Sequence, residues 1–433
     1  MDAVVAALNT VPAVIRILLV FALVLLVIKR KWTLGNAFLA GAGCLGLIFA
    51  MSPWAIAVSA AKALIDPKTI SLSVVIALIL VLSHTLEKTG QMGRMLYSFK
   101  GLIRSPRINL VIFPALIGLL PMPGGAIFSA PMVKELGADH QLSGPQLSYI
   151  NYWFRHIWEY WWPLYPGILL TTALSGVDLW HLVSITAPVT AVAVTVGYLP
   201  LRGAIAATQI PKKNKMLTLF FKELAPISGT IVVGLAGGII LSALLPRMLN
   251  PVAKEMGLIV ALMMAIAWTW RYNRMPVSQR WAIFKNPALL KMVYMVIAIL
   301  MFKDILKDSH AVDLVSQEML RWHIPLTPIA IILPFLVGGV AGITIAFVGT
   351  TFPILIPLIQ AFGQDGLMVP YLMLALSAGF VGVLVSPLHL CLLLSNEYFK
   401  TTLIPVYRQM ALPLIVLFIS AVVYFELLHY FLR

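Results

Sequence analysis

Charged residues are scarce in this chain of 433 residues: they make up 11% of it, against 61% hydrophobic residues. The mean hydropathy is +0.95. A soluble domain carries about 25% charged residues. The composition therefore excludes an ordinary soluble protein and predicts a polytopic membrane protein.

Cysteine is nearly absent, and the positions of Cys44 and Cys391 indicate neither a disulfide framework nor a Cys/His metal array. The chain also lacks the G-x-x-x-x-G-K-[ST] phosphate loop and the H-E-x-x-H zinc motif. We therefore predict no cofactor and no structural metal. Any energy that the protein uses would then come from an ion gradient, of H⁺ or Na⁺, or from the gradient of its own substrate.

Acidic residues are also few, with 16 Asp and Glu against 31 Lys and Arg. Most of the basic residues lie in short connections between apolar segments, where they indicate membrane orientation and not nucleic-acid binding. Their distribution predicts a multi-pass protein of the cytoplasmic (inner) membrane. It places the N-terminus and the C-terminus on the outer side.

Apolar segments of the length needed to cross a bilayer occur in two sets of five. The first set is predicted at residues 11–29, 34–52, 69–87, 146–174 and 180–200, and the second at 225–246, 256–271, 288–306, 367–396 and 403–431. Between the third and fourth span of each set lies a long apolar segment with a broken centre, at residues 108–137 and 325–362. We interpret both segments as re-entrant helical hairpins.

Prolines recur in the same order in both halves of the chain. Pro114 corresponds to Pro334 at an offset of 220 residues, and Pro163 corresponds to Pro387 at an offset of 224. Because each half has an odd number of spans, the second half is predicted to be inverted relative to the first. The predicted fold is all-α, with repeats at residues 1–203 and 223–433 and a cytoplasmic linker at 204–222.

The interrupted centres of these segments are the predicted binding site. Backbone that leaves the helix at membrane depth is costly unless protein, water or ligand satisfies it. Pro121 and Pro123 lack the N–H that a continuing helix needs, while Gly124 and Gly125 allow a tight turn and close approach of a ligand. The half-helix that begins near Ile127 points N-terminal amides towards the site, which favours an anion.

The second hairpin offers Thr344, Thr350 and Thr351 beside Gly349, and the following span breaks at Ser386 and Pro387. By the symmetry of the repeats, this break faces one predicted at Trp162 and Pro163. If the coupling ion is Na⁺, the hydroxyls of Thr350, Thr351 and Ser386 are its predicted ligands. The alternative is that each Thr bonds to its own helix and each Pro only kinks it.

Arg155, His156 and Glu159 form the most highly charged cluster within a predicted span. On a continuous helix Arg155 and Glu159 lie one turn apart and can pair, so a structural ion pair is the alternative to substrate recognition or proton coupling. His389 is a second titratable candidate. The predicted substrate- and ion-binding residues are Pro121, Met122, Pro123, Gly124, Gly125, Ser129, Arg155, His156, Glu159, Trp162, Tyr165, Thr344, Gly349, Thr350, Thr351, Ser386, His389, Ser395 and Asn396.

Two segments carry a resemblance to a known family. LPMPGGAIFSAP at residues 120–131 and NYWFRHIWEYWWP at residues 151–163 resemble the integral membrane proteins of the DUF401 family. The plan of inverted halves with hairpins resembles the ion transporter superfamily. That resemblance implies a homodimer in which a transport domain moves past a scaffold domain as an elevator. The Ser-Asn-Thr hairpin signature of the sodium-coupled dicarboxylate carriers is missing, so their sodium sites and specificity are not carried over.

The sequence predicts a secondary active transporter for a small anion, and not an enzyme. The expected substrate is an organic acid, whose transport would be coupled to an H⁺ or Na⁺ gradient. The expected partners are this solute, the lipid bilayer and a second copy of the chain. Two other classes stay open. One is an intramembrane enzyme that uses Glu159, His156 and His389 as acid and base, and the other is an ion channel.

Overall fold

The computed structural model describes residues 10–99, 102–103, 105–122, 124–138, 140–201, 216–246 and 252–432. All regular secondary structure in these ranges is helical, which confirms the predicted all-α class. The linker predicted at 204–222 lies largely outside the described residues, as does Pro123 of the first hairpin.

The first half of the chain contains ten α-helices among the described residues, followed by a short 3₁₀ turn at Leu199–Leu201. They are α1 (Ala13–Lys29), α2 (Leu34–Ile48), α3 (Pro53–Ile65), α4 (Pro67–Lys88), α5 (Gln91–Phe99), α6 (Pro106–Gly118), α7 (Ala126–Ala138), α8 (Gly144–Arg155), α9 (Pro166–Ser175) and α10 (Leu179–Gly197).

The described part of the second half again contains ten α-helices, with a 3₁₀ turn at Asp365–Leu367. They are α11 (Leu217–Leu244), α12 (Ala253–Tyr272), α13 (Val277–Phe284), α14 (Pro287–Asp308), α15 (Ala311–Arg321), α16 (Leu326–Ala341), α17 (Thr344–Ala361), α18 (Met368–Val385), α19 (Leu390–Tyr398) and α20 (Leu403–Leu432).

Seven helical segments of the described chain are long and apolar enough to cross a bilayer, which makes this a multi-pass membrane protein. The structure also differs from the predicted spans. Helices α3, α5 and α13 were not predicted as separate elements, because they are short and lie in connections. The predicted span 34–52 is observed as a helix of 15 residues, since Ala50 adopts a positive φ of 62° that ends it.

Local signals explain where several of these helices begin. Asp66 caps α4 by accepting a hydrogen bond from the Thr69 N–H at 2.9 Å, and Pro67 occupies the first helical position. Ser143 and Gln146 form a capping box at the start of α8. These caps fix the level at which α4 and α8 enter the bundle.

All of these helices except α5 and α15 form two groups according to their packing. The frame consists of α1–α4 and α11–α14, in which α14 packs on α2, α3 and α4, and α12 packs on α4 and α11. The hairpin group consists of α6–α10 and α16–α20, in which α16 packs on α17 and α18, and α19 packs on α7 and α8. The two groups meet where α9 contacts α4 and where α17 contacts α14.

Glycine allows the closest helix contacts in the hairpin group. A Cβ atom at Gly338 of α16 would overlap the Gly379 carbonyl of α18, and a Cβ at Gly382 would overlap the Phe335 carbonyl. Small residues allow this kind of backbone approach between membrane helices. The contact holds the end of α16 against the end of α18, where both helices are interrupted.

Candidate functional site

Four interruptions in the helices of the hairpin group meet around one cavity. They are the first tip (residues 119–122 and 124–125), the first break (156–165), the second tip (342–343) and the second break (386–389). Residues from all four line a cavity of about 230 Å³, which Leu80 of α4 and Met292 of α14 close from the frame. The cavity therefore lies between the two groups of helices.

The first tip leaves the helix through Pro121, and Gly124 turns the chain at a φ of +74°. That conformation is strained for residues with a Cβ atom. The space beside Gly124 is limited by Leu394 of α19, whose Cδ1 atom would lie 3.1 Å from an added Cβ. The first tip is thus packed against a helix from the second half of the chain.

The second tip turns at Gly342, which has a φ of +66°. A Cβ atom here would lie 2.9 Å from the Ser386 Oγ atom and 3.1 Å from the backbone nitrogen of His389. The next helix begins at Thr344, whose Cγ2 atom would lie 2.7 Å from a Cβ at Gly167. The second tip therefore joins the second break to the start of α9.

The first break begins earlier than the sequence predicted. A break was expected at Trp162 and Pro163, but α8 ends at Arg155 and regular helix resumes only at Pro166. Arg155 and Glu159 are therefore not one turn apart on a common helix, and no ion pair joins them in the described part of the chain. The predicted helical pair is wrong because the helix ends at its first member.

Aromatic side chains of the first break satisfy the carbonyls freed at the end of α6. The indole N–H groups of Trp158 and Trp162 donate to the carbonyls of Ala115 and Leu119 at 2.7 and 2.9 Å. The Tyr165 hydroxyl donates to the Gly118 carbonyl at 2.6 Å and also lines the cavity. Trp162 does not line the cavity; its role is to cap a helix end, where carbonyls lack partners within the helix.

Arg155 is the cation of the cavity. Its side chain is only 2% exposed, and its Nη2 atom donates to the Met122 carbonyl of the first tip at 2.5 Å. The Nε atom is buried without a hydrogen-bond partner among the described residues. Burial of an unpaired charge is costly. The guanidinium therefore has N–H donors without a partner, from which an anion bound in the cavity can accept hydrogen bonds.

Glu159 supplies the carboxylate of the same cavity. It accepts a hydrogen bond from the Thr344 hydroxyl of the second tip at 2.5 Å. Its other oxygen lies 3.8 Å from the His156 Nε2 atom. Glu159 thus connects the first break to the second tip, and it is the sole Asp or Glu of the cavity lining in the described chain.

Tyr152 of α8 positions two histidines beside each other. The His156 Nδ1 atom lies 2.6 Å from the Tyr152 carbonyl, and the His389 Nδ1 atom lies 3.0 Å from the Tyr152 hydroxyl. The two imidazole rings meet edge to face with centroids 4.7 Å apart. Cys391, which the sequence did not single out, lines the cavity next to them. It is 235 positions from His156 in the chain, so no local spacing could have indicated this contact.

Other predicted residues do not reach the cavity. The Thr350 and Thr351 hydroxyls donate to the Ala346 and Phe347 carbonyls of their own helix at 2.5 and 2.8 Å. Gly349 packs on Ile299 of α14. The expected Na⁺ ligands Thr350 and Thr351 thus adopt the alternative arrangement, and the third, Ser386, is buried and accepts from the Leu388 N–H at 3.3 Å.

The three remaining predicted polar residues belong to buried networks away from the cavity lining. Asn151 of α8 accepts from the Ser129 hydroxyl at 2.6 Å and donates to the Ser395 hydroxyl at 2.7 Å. Asn396 accepts from the Ser148 hydroxyl at 2.6 Å. These bonds tie α7, α8 and α19 together. Gly125 does not line the cavity either, but a Cβ atom there would meet the Arg155 guanidinium.

The fold and the cavity define a multi-pass helical membrane protein with paired interrupted helices around a buried, charged site. The chain belongs to the family described as protein of unknown function (DUF401), whose sequence profile matches residues 12–427. This confirms the family resemblance of the two motif segments. No protein of curated function matches the sequence.

Among solved structures, the fold is similar to that of the YdaH transporter from Alcanivorax borkumensis. The TM-score is 0.55 at 15% sequence identity, and the match covers 83% of this chain and 85% of that chain. At this identity the likeness concerns the fold.

Proposed function

We propose that the protein is a secondary active transporter that moves a small anion across the cytoplasmic membrane. The proposal rests on one observation: the buried guanidinium of Arg155 lines a cavity of about 230 Å³ and forms no ion pair with a carboxylate among the described residues. An anion in the cavity would satisfy its free donors and offset its charge. An organic acid fits, because a carboxylate matches the fork geometry of a guanidinium.

Glu159 is the proposed coupling group. A carboxylate close to a bound anion repels it unless the carboxylate takes up a proton or a cation binds beside it. Proton uptake at Glu159 would then link anion binding to the H⁺ gradient. Coupling to Na⁺ is the alternative within this proposal. It has less support, since the hydroxyls of Thr350 and Thr351 already donate hydrogen bonds to carbonyls of their own helix.

Repeated contacts support the proposed repeats at 1–203 and 223–433. Gly118 packs on the Arg155 carbonyl, and Gly338, 220 positions further on, packs on the carbonyl of Gly379, 224 positions after Arg155. These are the offsets of the paired prolines. In the first half this contact joins α6 to α8, and in the second half it joins the corresponding helices α16 and α18, as expected for two copies of one fold.

Long-range polar contacts agree with the proposed orientation of the spans. Lys68 pairs with Glu255 at 3.4 Å, and both are predicted on the outer side. Arg94 pairs with Glu223 at 3.0 Å, and both are predicted on the inner side. An odd error in the number of spans between residues 68 and 255 would place Lys68 and Glu255 on opposite sides of the membrane.

The position of the cavity supports an elevator mechanism, in which the hairpin group moves past the frame. The cavity is lined by the hairpin group and closed by two frame residues, so sliding would expose it to one side at a time. Homodimerisation through the frame belongs to the same proposal. It rests on the superfamily resemblance.

The proposal is tested first by ligand screening. Purified protein is heated with carboxylates, oxyanions and amino acids, each with Na⁺, with K⁺ and at two pH values, and the best stabiliser is then followed into proteoliposomes. We expect uptake that requires an imposed H⁺ or Na⁺ gradient. Failure to bind or move any anion would refute the proposal, and chemical turnover without a gradient would favour an enzyme.

A crosslink tests the elevator. Gly349 of α17 packs on Ile299 of α14, so these residues face each other across the two groups. In a Cys44→Ser background, Gly349→Cys with Ile299→Cys should form a disulfide that stops transport, with recovery on reduction. Each single Cys variant is the control. Undiminished flux through the oxidised double variant would favour a channel.

A further inference from the structure

Three side chains with metal-binding chemistry meet on one wall of the cavity. The donor atoms of His156, His389 and Cys391 all lie within 4.8 Å of one another, and all three residues are buried. His156 comes from the first break, His389 ends the second break and Cys391 lies in the first turn of α19. The cluster thus exists only because the two interrupted segments meet.

The Nδ1 atoms of both histidines are hydrogen-bonded to backbone carbonyls, which leaves Nε2 of each imidazole free. The His156 Nδ1 atom lies 2.6 Å from the Tyr152 carbonyl, which can only accept, so Nδ1 carries the proton and Nε2 has the lone pair. The His389 Nδ1 atom lies 3.3 Å from the Val383 carbonyl, and the same argument applies. The Tyr152 hydroxyl donates to the Leu384 carbonyl at 3.2 Å, so its oxygen can accept from His389. Metal-bound histidines usually have their second nitrogen fixed in this way.

Cys391 completes the cluster with a sulfur donor. Its Sγ atom lies within 4.8 Å of the donor nitrogens of both histidines, and it follows His389 by two positions at the start of α19. When a metal–sulfur bond forms, the thiol proton of Cys391 leaves to solvent and the thiolate becomes the ligand.

We propose that His156, His389 and Cys391 bind a thiophilic divalent cation of the Zn²⁺ type in this cavity. Imidazole and thiolate are the ligands that such ions prefer, about 2.0–2.3 Å from the metal in a tetrahedral site. Three protein ligands leave a fourth position open to water or to Glu159, whose carboxylate lies 3.8 Å from the His156 Nε2 atom. The thiolate and this carboxylate offset the ion's two charges, and Arg155 stays available to an anion.

Cobalt(II) is the probe, because thiolate ligation to Co²⁺ gives a sulfur-to-metal charge-transfer band in the near ultraviolet. Full-length protein in detergent is titrated with Co²⁺ and then with Zn²⁺. We expect a saturable band that Zn²⁺ bleaches. The band should vanish in Cys391→Ser and persist in Cys44→Ser, which changes the other cysteine of the chain, at a half-buried position of α2.

A second pair of variants separates this site from the anion site. His389→Gln should weaken Co²⁺ binding at least about tenfold. Arg155→Gln should keep the band, because the proposal does not depend on anion transport. If Cys391→Ser does not fold, His389→Gln decides. The proposal fails if the wild-type protein gives no band, if the band survives in folded Cys391→Ser, if His389→Gln binds Co²⁺ as tightly as the wild type, or if Cys44→Ser loses the band.

Discussion

Replacing Gly125 by alanine should weaken anion binding without unfolding the protein. A Cβ atom at this position would meet only the Arg155 guanidinium among its nearest neighbours, with the Cζ atom at 2.8 Å and the Nε atom at 3.1 Å. Real Cβ atoms almost never come that close to a neighbour, so one group must move. The tip is fixed by backbone turns, whereas the guanidinium is the end of a flexible side chain. We therefore expect the methyl group to displace Arg155.

The size of the effect follows from the bond that is lost. A hydrogen bond between charged groups contributes about 1.5–3 kcal/mol. Since about 1.4 kcal/mol corresponds to a tenfold change in affinity, Gly125→Ala should weaken binding of the anion found by the screen about 10- to 100-fold. Calorimetric titration of purified protein measures this directly, and the unfolding temperature without ligand reports whether the fold is intact.

Gly43→Ala is the matched control. Gly43 lies within α2, and a Cβ atom there has no neighbour within 4 Å. Alanine at this helical position should keep or slightly raise stability and leave the affinity unchanged. The reasoning is refuted if Gly125→Ala binds the anion as tightly as the wild type, or if Gly43→Ala weakens binding equally.

Three further outcomes are expected. Glu159→Gln should remove the acceleration of proteoliposome uptake by an inward H⁺ gradient while the anion still binds; an unchanged gradient response would remove Glu159 from coupling. Thr351→Val should leave uptake as sensitive to Na⁺ as in the wild type, since the Thr351 hydroxyl donates to the Phe347 carbonyl of its own helix. An altered Na⁺ response would support Thr351 as a sodium ligand. Partial burial raises the pKa of Asp178, but hydrogen bonds from Lys254 and from N–H groups of α10 outweigh it and hold the pKa below its ordinary value. Its stabilisation is therefore present above about pH 4 and is lost as pH falls through the lower folded pKa. Asp178→Asn should lower the free energy of unfolding by under about 1 kcal/mol at pH 7, because the pair is solvent-exposed, and the difference from the wild type should shrink as the pH falls through that pKa. A loss that stays the same from neutral to acid pH would contradict this.

The helix interruptions could be predicted from sequence because proline and glycine act locally. Pro121, Gly124 and Gly342 mark positions where the backbone cannot continue as a helix or must adopt a positive φ. The end of α8 at Arg155 could not be predicted this way. The residues that follow are aromatic and fit a helix, and the indole and phenol groups that satisfy the carbonyls of α6 act across 43 to 47 positions of the chain.

Contacts between the two halves were the least predictable part of the site. Thr344, Thr350 and Thr351 are equally polar in sequence, yet only Thr344 lines the cavity, because it begins α17 while the others lie inside it. Cys391 looked uninformative as an isolated cysteine in an apolar segment. Its place beside His156 depends on how the second break packs against the first, which no local pattern encodes.

The central claim is that Arg155 is an unpaired buried charge that a substrate anion neutralises. The most direct measurement compares the unfolding temperatures of Arg155→Gln and wild-type protein with and without the anion, with Arg321→Gln of the exposed end of α15 as the control. The claim predicts that Arg155→Gln is at least as stable as the wild type without anion, since it removes a buried charge that contacts no carboxylate, and gains no stability from the anion. A variant that is destabilised without ligand and still stabilised by the anion would contradict it.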